Sequence, residues 1–279
     1  MFKNRFKIAW LSILLLAGCD KPKHPATPTH PPQRIISLAP NITETIYALG
    51  LGNKLVGDTP YCLYPPAARA LPKVGGFGSF NYEAIVWLHP DLVILHKEYD
   101  VEKERLAELG IPTLETGTYF IADILETIQS IGKACNAEKQ AAKLIQRLEK
   151  RIAEVRTKRG ETTPPRVLLL FGNNSQTLQA FGPNCIHNEL LKIAGGQNVI
   201  ETKLPFATLS RETIIRLNPD LIIQLAPGTK IKSEPKNTFT SCPIYLLTND
   251  YTCIPGPRFI QTLEDLARII KQNESPTLQ

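Results

Sequence analysis

"NYEAIVWLHPDLVIL", Asn81–Leu95, is followed 129 residues later by "SRETIIRLNPDLIIQ", Ser210–Gln224. Glu83 aligns with Glu212, Ile85 with Ile214, Leu88 with Leu217, Pro90-Asp91-Leu92 with Pro219-Asp220-Leu221, and Ile94 with Ile223. Each copy reads as a polar helix cap, a short helix with an acid in its first turn, a break before proline, and a β-branched strand. The surroundings repeat as well. "RIISLAP" from Arg34 matches "RVLLLFG" from Arg166, and "PTLET" from Pro112 matches "PIYLLTND" from Pro243. Helical segments fill the gaps: "NITETIYALGLG" and "VEKERLAELG" in the first half, "CIHNELLKIAGGQNVI" in the second, several of them stopped by glycine.

Alternating β-branched runs and amphipathic segments specify an α/β protein with mostly parallel strands. The repeat makes it two Rossmann-like lobes. Between them, "NAEKQAAKLIQRLEKRIAEVRTK" has no Gly or Pro, and Ala141, Leu144, Leu148, Ile152 and Val155 recur at helical spacing. Asn136 is the expected N-cap. A helix of some 22 residues spans roughly 33 Å at 1.5 Å per residue. The expected organisation is a N-terminal lobe over 34–135, a connecting helix over 136–159 and a C-terminal lobe over 160–279. Ligands in α/β sheets sit at the carboxyl ends of strands, so two facing lobes put the binding site in the cleft between them.

The ends read differently. Lys3, Arg5 and Lys7 precede the apolar "IAWLSILLLA", too short for a membrane span and suited to a signal peptide over 1–19. It ends in "LAGC", which resembles the bacterial lipoprotein cleavage box, with Cys19 as the lipidated residue. Asp20 behind it resembles an inner-membrane retention signal. Residues 20–33 hold five prolines and form a semi-rigid tether reaching roughly 40 Å; His24 and His30 in it read as solvated spacers. The expected location is the periplasmic side of the inner membrane, anchored through lipid.

The formal charge of +6 falls to about +3 without the three basic residues of the leader, and no basic stripe suggests nucleic acid. Cys62, Cys135, Cys185, Cys242 and Cys253 follow Cys19 with no CxxC spacing, so a cysteine metal cluster is not expected. Export permits disulfides; Cys242 and Cys253 bracket one strand and turn, and no pairing is assigned. GxSxG and HExxH are absent, and Ser37 and Ser210 read as strand and cap residues, which argues against an exported hydrolase.

"RIISLAPNITE", "YCLYPP", "NYEAIVWLHPDLVI", "NELLKIAGGQNVI", "LPFATLSRETIIRLNPDLII" and "LTNDYTCIPGPR" together resemble the cobalamin-binding periplasmic proteins of ABC importers. More broadly, they resemble the helical-backbone substrate-binding proteins, whose ligands include corrinoids, haem, ferric siderophores and bare metals. The resemblance implies a monomeric binding protein, not an enzyme, that hands a metal chelate to a permease and its ATPase. It implies that Glu83 and Glu212 dock onto the permease; on residue chemistry alone each is also a first-turn acid at a helix N-terminus. It implies ligand contacts by Tyr61, Phe77, Phe206 and Asp250, with Phe77 and Phe206 standing where relatives carry tryptophan and Ile254 near a family arginine. His96 departs from the pattern. It ends a strand at the cleft edge, either as a ligand to a chelated metal or as a plain polar strand end. His89 and His187 read as helix-end residues, capping or at the surface, and Trp87 as buried. Bare metal would need more converging donors than His96, Asp250 and Glu115. The loops carry little positive charge, which disfavours an anionic ligand; a haem- or ferric-siderophore-binding protein of the same fold is the alternative. A lipoprotein that kept the fold and lost its ligand is the remaining alternative.

Overall fold

The computed structural model describes residues 30–76, 78–160, 163–172, 178–229 and 241–274. The leader, Cys19, nearly all of the tether and Phe77 lie outside them.

The N-terminal lobe carries β1 (Ile35–Ser37), α1 (Pro40–Ala48), β2 (Leu55–Gly57), a small hairpin of β3 (Gly75–Gly76) and β4 (Ser79–Phe80), α2 (Tyr82–Trp87), β5 (Leu92–His96), α3 (Asp100–Glu108), β6 (Thr113–Thr116) and α4 (Ile121–Ala134). Its sheet is parallel in the order β2-β1-β5-β6. After the connecting helix α5 (Glu138–Arg159), the second lobe carries β7 (Arg166–Phe171), β8 (Leu178–Phe181), α6 (Ile186–Ala194), β9 (Gln197–Asn198), β10 (Phe206–Leu209), α7 (Arg211–Leu217), β11 (Leu221–Leu225), β12 (Ile244–Leu247) and α8 (Phe259–Glu274). β9 pairs parallel with β7 as β2 does with β1, and β7-β11-β12 reproduces β1-β5-β6. The repeat in the sequence is a repeat in topology. The second lobe adds β8, which pairs antiparallel with β7, and β10, which pairs antiparallel with β8 at the sheet edge.

Polar contacts explain why the repeated stretch keeps its Pro-Asp. The Asp91 carboxylate accepts from the backbone N–H of Gln33 (2.7 Å) and Arg34 (2.9 Å), and the Arg34 guanidinium returns to the Leu88 carbonyl at the end of α2 (2.7 Å). In the second lobe Asp220 accepts from the Arg166 N–H (2.6 Å), and Arg166 donates to the Leu217 carbonyl (2.7 Å). Each Arg/Asp couple ties a helix end to the start of two neighbouring strands. His89 and Asn218, the matched residues before proline, both turn left-handed at φ 46° and 44°, a conformation Asn and His tolerate better than most side chains. Asn81 and Ser210 cap α2 and α7 as expected, accepting from the Ala84 and Thr213 N–H groups.

α5 runs 22 residues. Ala141, Leu144, Leu148 and Ile152 are buried and Val155 is half-buried, in one core that continues into both sheets. α4 and α8 flank it. Gly132 of α4 lets it come close: a Cβ there would lie 2.5 Å from that of Ala141. The N-cap differs from expectation. Asn136 takes φ 56° to close the turn out of α4, and Ala137 is the residue that precedes the helix. Trp87 also differs. It sits on the outer face of its short helix, which buries Ile85 instead, and is strongly exposed. Cys253 carries a free thiol, so the Cys242–Cys253 pair is not joined; Cys62, Cys135 and Cys185 are buried thiols. No helix among the described residues is long and apolar enough to cross a membrane.

The lobes are bound to each other beyond α5. The Arg258 guanidinium, ahead of α8, takes both oxygens of Glu44 on α1 (2.6 and 2.9 Å). It also meets Asp250 (2.9 Å) and lies 3.7 Å over the Tyr64 ring. Burial raises the Glu44 pKa more than Arg258 lowers it. For Arg258 burial pulls down, and the hydrogen bonds it donates to Glu44 and Asp250 overcome it and push the value up. At the start of α4 the Ile121 N–H donates to Glu189 of α6 (2.7 Å).

Candidate functional site

Strands β5 and β6 of the first lobe and β7 of the second end on a cavity of ≈390 Å³ between the lobes. That lies within the usual range for a small-ligand site, roughly 300–1,000 Å³. The first lobe supplies His96, Glu98, Tyr99 and Tyr119; the second supplies Phe171, Phe181, His187, Phe206 and Cys253. Among the described lining residues there is no Lys or Arg. A larger hollow of ≈580 Å³ lies behind the molecule between α5 and α8, lined largely by long charged side chains such as Arg151, Lys158 and Glu264. It has no aromatic wall and lies away from every strand end.

The second-lobe wall is an aromatic cluster. Phe181 packs against Phe206 (5.5 Å between centroids), Phe171 (5.9 Å, edge-on) and the His187 ring (4.0 Å, stacked). β8 and β10 build it: Phe206 pairs with Phe181 across the two strands. Phe171 and Phe206 keep large parts of their rings exposed to the cleft, an apolar area that a flat ligand would cover.

His187 is the principal correction to the sequence reading. It is not a surface residue but is only 7% exposed, in the first turn of α6 at the cleft floor. Its Nε2 meets the Thr252 carbonyl (2.8 Å). A carbonyl only accepts, so Nε2 carries the proton and Nδ1 keeps its lone pair. Burial lowers its pKa to about 4, against a smaller upward pull from Thr252. His96 ends β5 as expected. Its Nε2 lies 2.9 Å from Asn41 Oδ1, its ring is parallel to Tyr99 at 5.8 Å, and burial lowers its pKa to about 4. Both imidazoles are therefore neutral in ordinary buffers. Cys253 stays a thiol, its pKa pushed up to about 12 by burial.

The structure thus brings His96 and Phe206 together and adds Phe171, Phe181, His187, Tyr99 and Tyr119. Asp250 and Tyr61 are not among the residues lining this cavity. Arg258 holds the Asp250 carboxylate at the lobe junction. Tyr61 is exposed on the loop after β2 and packs over Gly76, where a Cβ would lie 3.0 Å from its ring. Glu115 pairs with Lys103, and no group of three or more His, Cys, Asp or Glu among the described residues could hold a bare metal ion. Glu83 and Glu212 are exposed in the first turns of α2 and α7, on opposite lobes. Its own backbone N–H and the Ser210 hydroxyl lower the Glu212 pKa. Of the missed residues, Phe171 ends the strand that repeats β1, so its place was readable. Phe181 ends β8, a strand with no counterpart in the first half, and His187 follows it in the first turn of α6; nothing in their spacing signalled the cleft.

Two α/β lobes on one helix, with an aromatic ligand-sized cavity between them, define a substrate-binding protein. Residues 35–240 match the family described as "Periplasmic binding protein", and the chain belongs to it. Membership makes it a periplasmic protein that binds a transport substrate rather than an enzyme. It is 26% identical over 259 residues, covering 90% of this chain and 91% of the relative, to the vitamin B12-binding protein of Yersinia pestis. Among solved structures it resembles the periplasmic vitamin B12-binding protein of Vibrio cholerae, with 25% identity and a TM-score of 0.74 over 88% of this chain and 99% of the other. It is equally similar to the apo form of a periplasmic haem-binding protein from Roseiflexus, with 26% identity and a TM-score of 0.76 over 87% and 99%.

Proposed function

We propose that the chain captures cobalamin or a related corrinoid in the interlobe cavity and delivers it to an ABC permease and its ATPase. In this reading it is a monomeric lipoprotein held through Cys19, with Glu83 and Glu212 as the docking acids and His96 and Phe206 as ligand contacts. The observation that carries the choice of ligand is the charge of the lining. Corrinoids present neutral amide arms, whereas haem presents two carboxylates and siderophore complexes are commonly anionic. An anionic ligand in a cavity lined by aromatic rings, neutral imidazoles and Glu98 would find no Lys or Arg among the described lining residues, the Lys97 ammonium lying beside it at 5.8 Å over the Tyr119 ring.

Haem is the second reading, supported by the Roseiflexus relative and by two neutral imidazoles at the site. The test is calorimetric titration of the detergent-purified full chain with cyanocobalamin, cobinamide, haemin and a ferric siderophore. One-to-one corrinoid binding weakened by Phe206→Ala supports the proposal. Haemin binding without corrinoid binding replaces it with the second reading, and silence with all four removes both.

A further inference from the structure

The two docking helices share more than a glutamate. One turn beyond Glu83 lies Val86, 43% exposed; one turn beyond Glu212 lies Ile215, 57% exposed. Single exposed aliphatic residues are ordinary. Two at matched positions, each beside the same acid on the same capped helix, are a repeated surface. At the next position the copies diverge. Trp87 stands in the first lobe, 74% exposed, and Arg216 in the second. Around Trp87, the side chains of Tyr82 and Val86, with Leu109 from the end of α3, line a shallow hollow of ≈540 Å³ that also contains Glu83, His89 and Arg105, whose guanidinium is paired with Glu108 (2.7 Å).

We propose that this hollow is the apolar half of the permease contact. Trp87 anchors in an apolar pocket of the permease beside the cationic site that receives Glu83, and Ile215 makes the lesser equivalent contact beside Glu212. The inference rests on the docking reading above and adds to it where the binding energy lies. Charge complementarity chooses the occupant. The two matched faces each present an outward carboxylate, so they fit a partner with two cationic sites, which a two-fold permease offers. An exposed tryptophan with Tyr82, Val86 and Leu109 beside it is the residue type that most often dominates such a contact. Arg216 in the matched place would face the partner's cationic site, so the second-lobe contact is the weaker one.

The full chain is titrated onto the permease–ATPase complex of the same cell in lipid nanodiscs, with empty nanodiscs and sedimentation of the chain alone as controls. Trp87→Ala weakens binding at least about tenfold, the scale of a desolvated aromatic anchor. Trp87→Phe keeps most of the affinity, and Arg216→Ala leaves it unchanged or tighter. Because Trp87 is exposed and outside the cleft, melting temperature and ligand titration stay at their wild-type values. A Trp87→Ala affinity within about twofold of wild type, while Glu83→Ala and Glu212→Ala weaken docking, overturns the anchor and leaves the docking acids standing. If the glutamate variants also bind normally, the docking reading itself falls. Loss of binding to empty nanodiscs, or of self-association, in Trp87→Ala would assign the face to lipid or to a second copy and overturn the proposal.

Discussion

Replacing Arg258 with methionine tests the junction between the lobes. Methionine keeps much of the aliphatic volume and removes the fork that holds both Glu44 oxygens and Asp250. The Glu44 side chain is 2% exposed, so it is left as a buried carboxylate without its cation. Breaking one side of a buried pair costs about 3–5 kcal/mol. At roughly 2–4 °C per kcal/mol for a domain of this size, the melting temperature falls by about 10 °C. The pH dependence supplies the sign. Burial already raises the Glu44 pKa, and without Arg258 it rises further. A carboxyl whose folded-state pKa lies above its unfolded value gains stability as the pH falls, so the deficit of the variant narrows on acidification. Circular-dichroism melts of wild type, Arg258→Met and Glu44→Gln/Arg258→Met across the weakly acidic range read all of this. The double variant recovers most of the loss, because the neutral amide needs no counter-ion. A single variant that melts within about 2 °C of wild type, or a deficit that grows in acid, would refute the idea that Glu44 depends on Arg258.

Asp58 and His187 should give opposite pH slopes in urea unfolding. Asp58 is fully buried with one oxygen on Lys73 (2.6 Å) and the other unpartnered, and burial raises its pKa to about 6. It therefore removes about 3 kcal/mol of stability as the pH rises from roughly 4 to 6, and Asp58→Asn abolishes that slope. The lowered pKa of His187 gives stability that is complete above pH ~6.5 and shrinks by roughly 3 kcal/mol toward pH 4; His187→Gln removes it. Asp91→Ala and Asp220→Ala each lose charge-assisted hydrogen bonds worth about 2 kcal/mol. Hydrogen exchange should quicken first in β1 and β5 for the former and in β7 and β11 for the latter; identical patterns in the two variants would show that the clamps are not local. In the ligand titration Phe206→Ala weakens binding about tenfold or more, while Asp250→Asn stays within about twofold; the reverse order would place the ligand on the Arg258 side of the junction.

The scaffold was legible because it is written in short-range terms. Alternation, caps at Asn81 and Ser210, and the helical stripe from Ala141 to Ile152 each follow from spacing that one element can show by itself. Errors came where tertiary geometry overrides such spacing. Asn136 suits an N-cap, yet the tight turn at Gly132 needed a left-handed residue there. Trp87 is large and apolar, which suggests burial, but α2 is six residues long and its buried side is taken by Ile85. Asp250 sits in the loop where a ligand contact was expected, and an arginine eight residues further on pairs with it instead. No local pattern announces a pairing between Arg258 and Glu44, 214 positions apart.

The lobes also differ at the cavity proposed for the ligand, and the difference has a structural origin. Everything matched between the halves, namely the Arg/Asp clamps, the left-handed turns before proline, the caps and the exposed acids, belongs to the parallel scaffold and its outer face. The cavity draws on matched strand ends, at His96 and Phe171, and also on what is unmatched. β8, between β7 and α6, and β10, between β9 and α7, have no antiparallel counterpart on the edge of the first sheet, and they deliver Phe181 and Phe206. The first lobe answers with His96, Tyr99 and Tyr119, rings that carry polar atoms. A ligand between them meets an apolar face on one side and a hydrogen-bonding face on the other. A flat chelate with two chemically different faces fits that arrangement, whereas a two-fold partner fits the repeated exterior. Duplication of one lobe would supply the second property without the first, so in the proposed reading the added strands that carry Phe181 and Phe206 are the part of this chain that ligand recognition adds to the repeat.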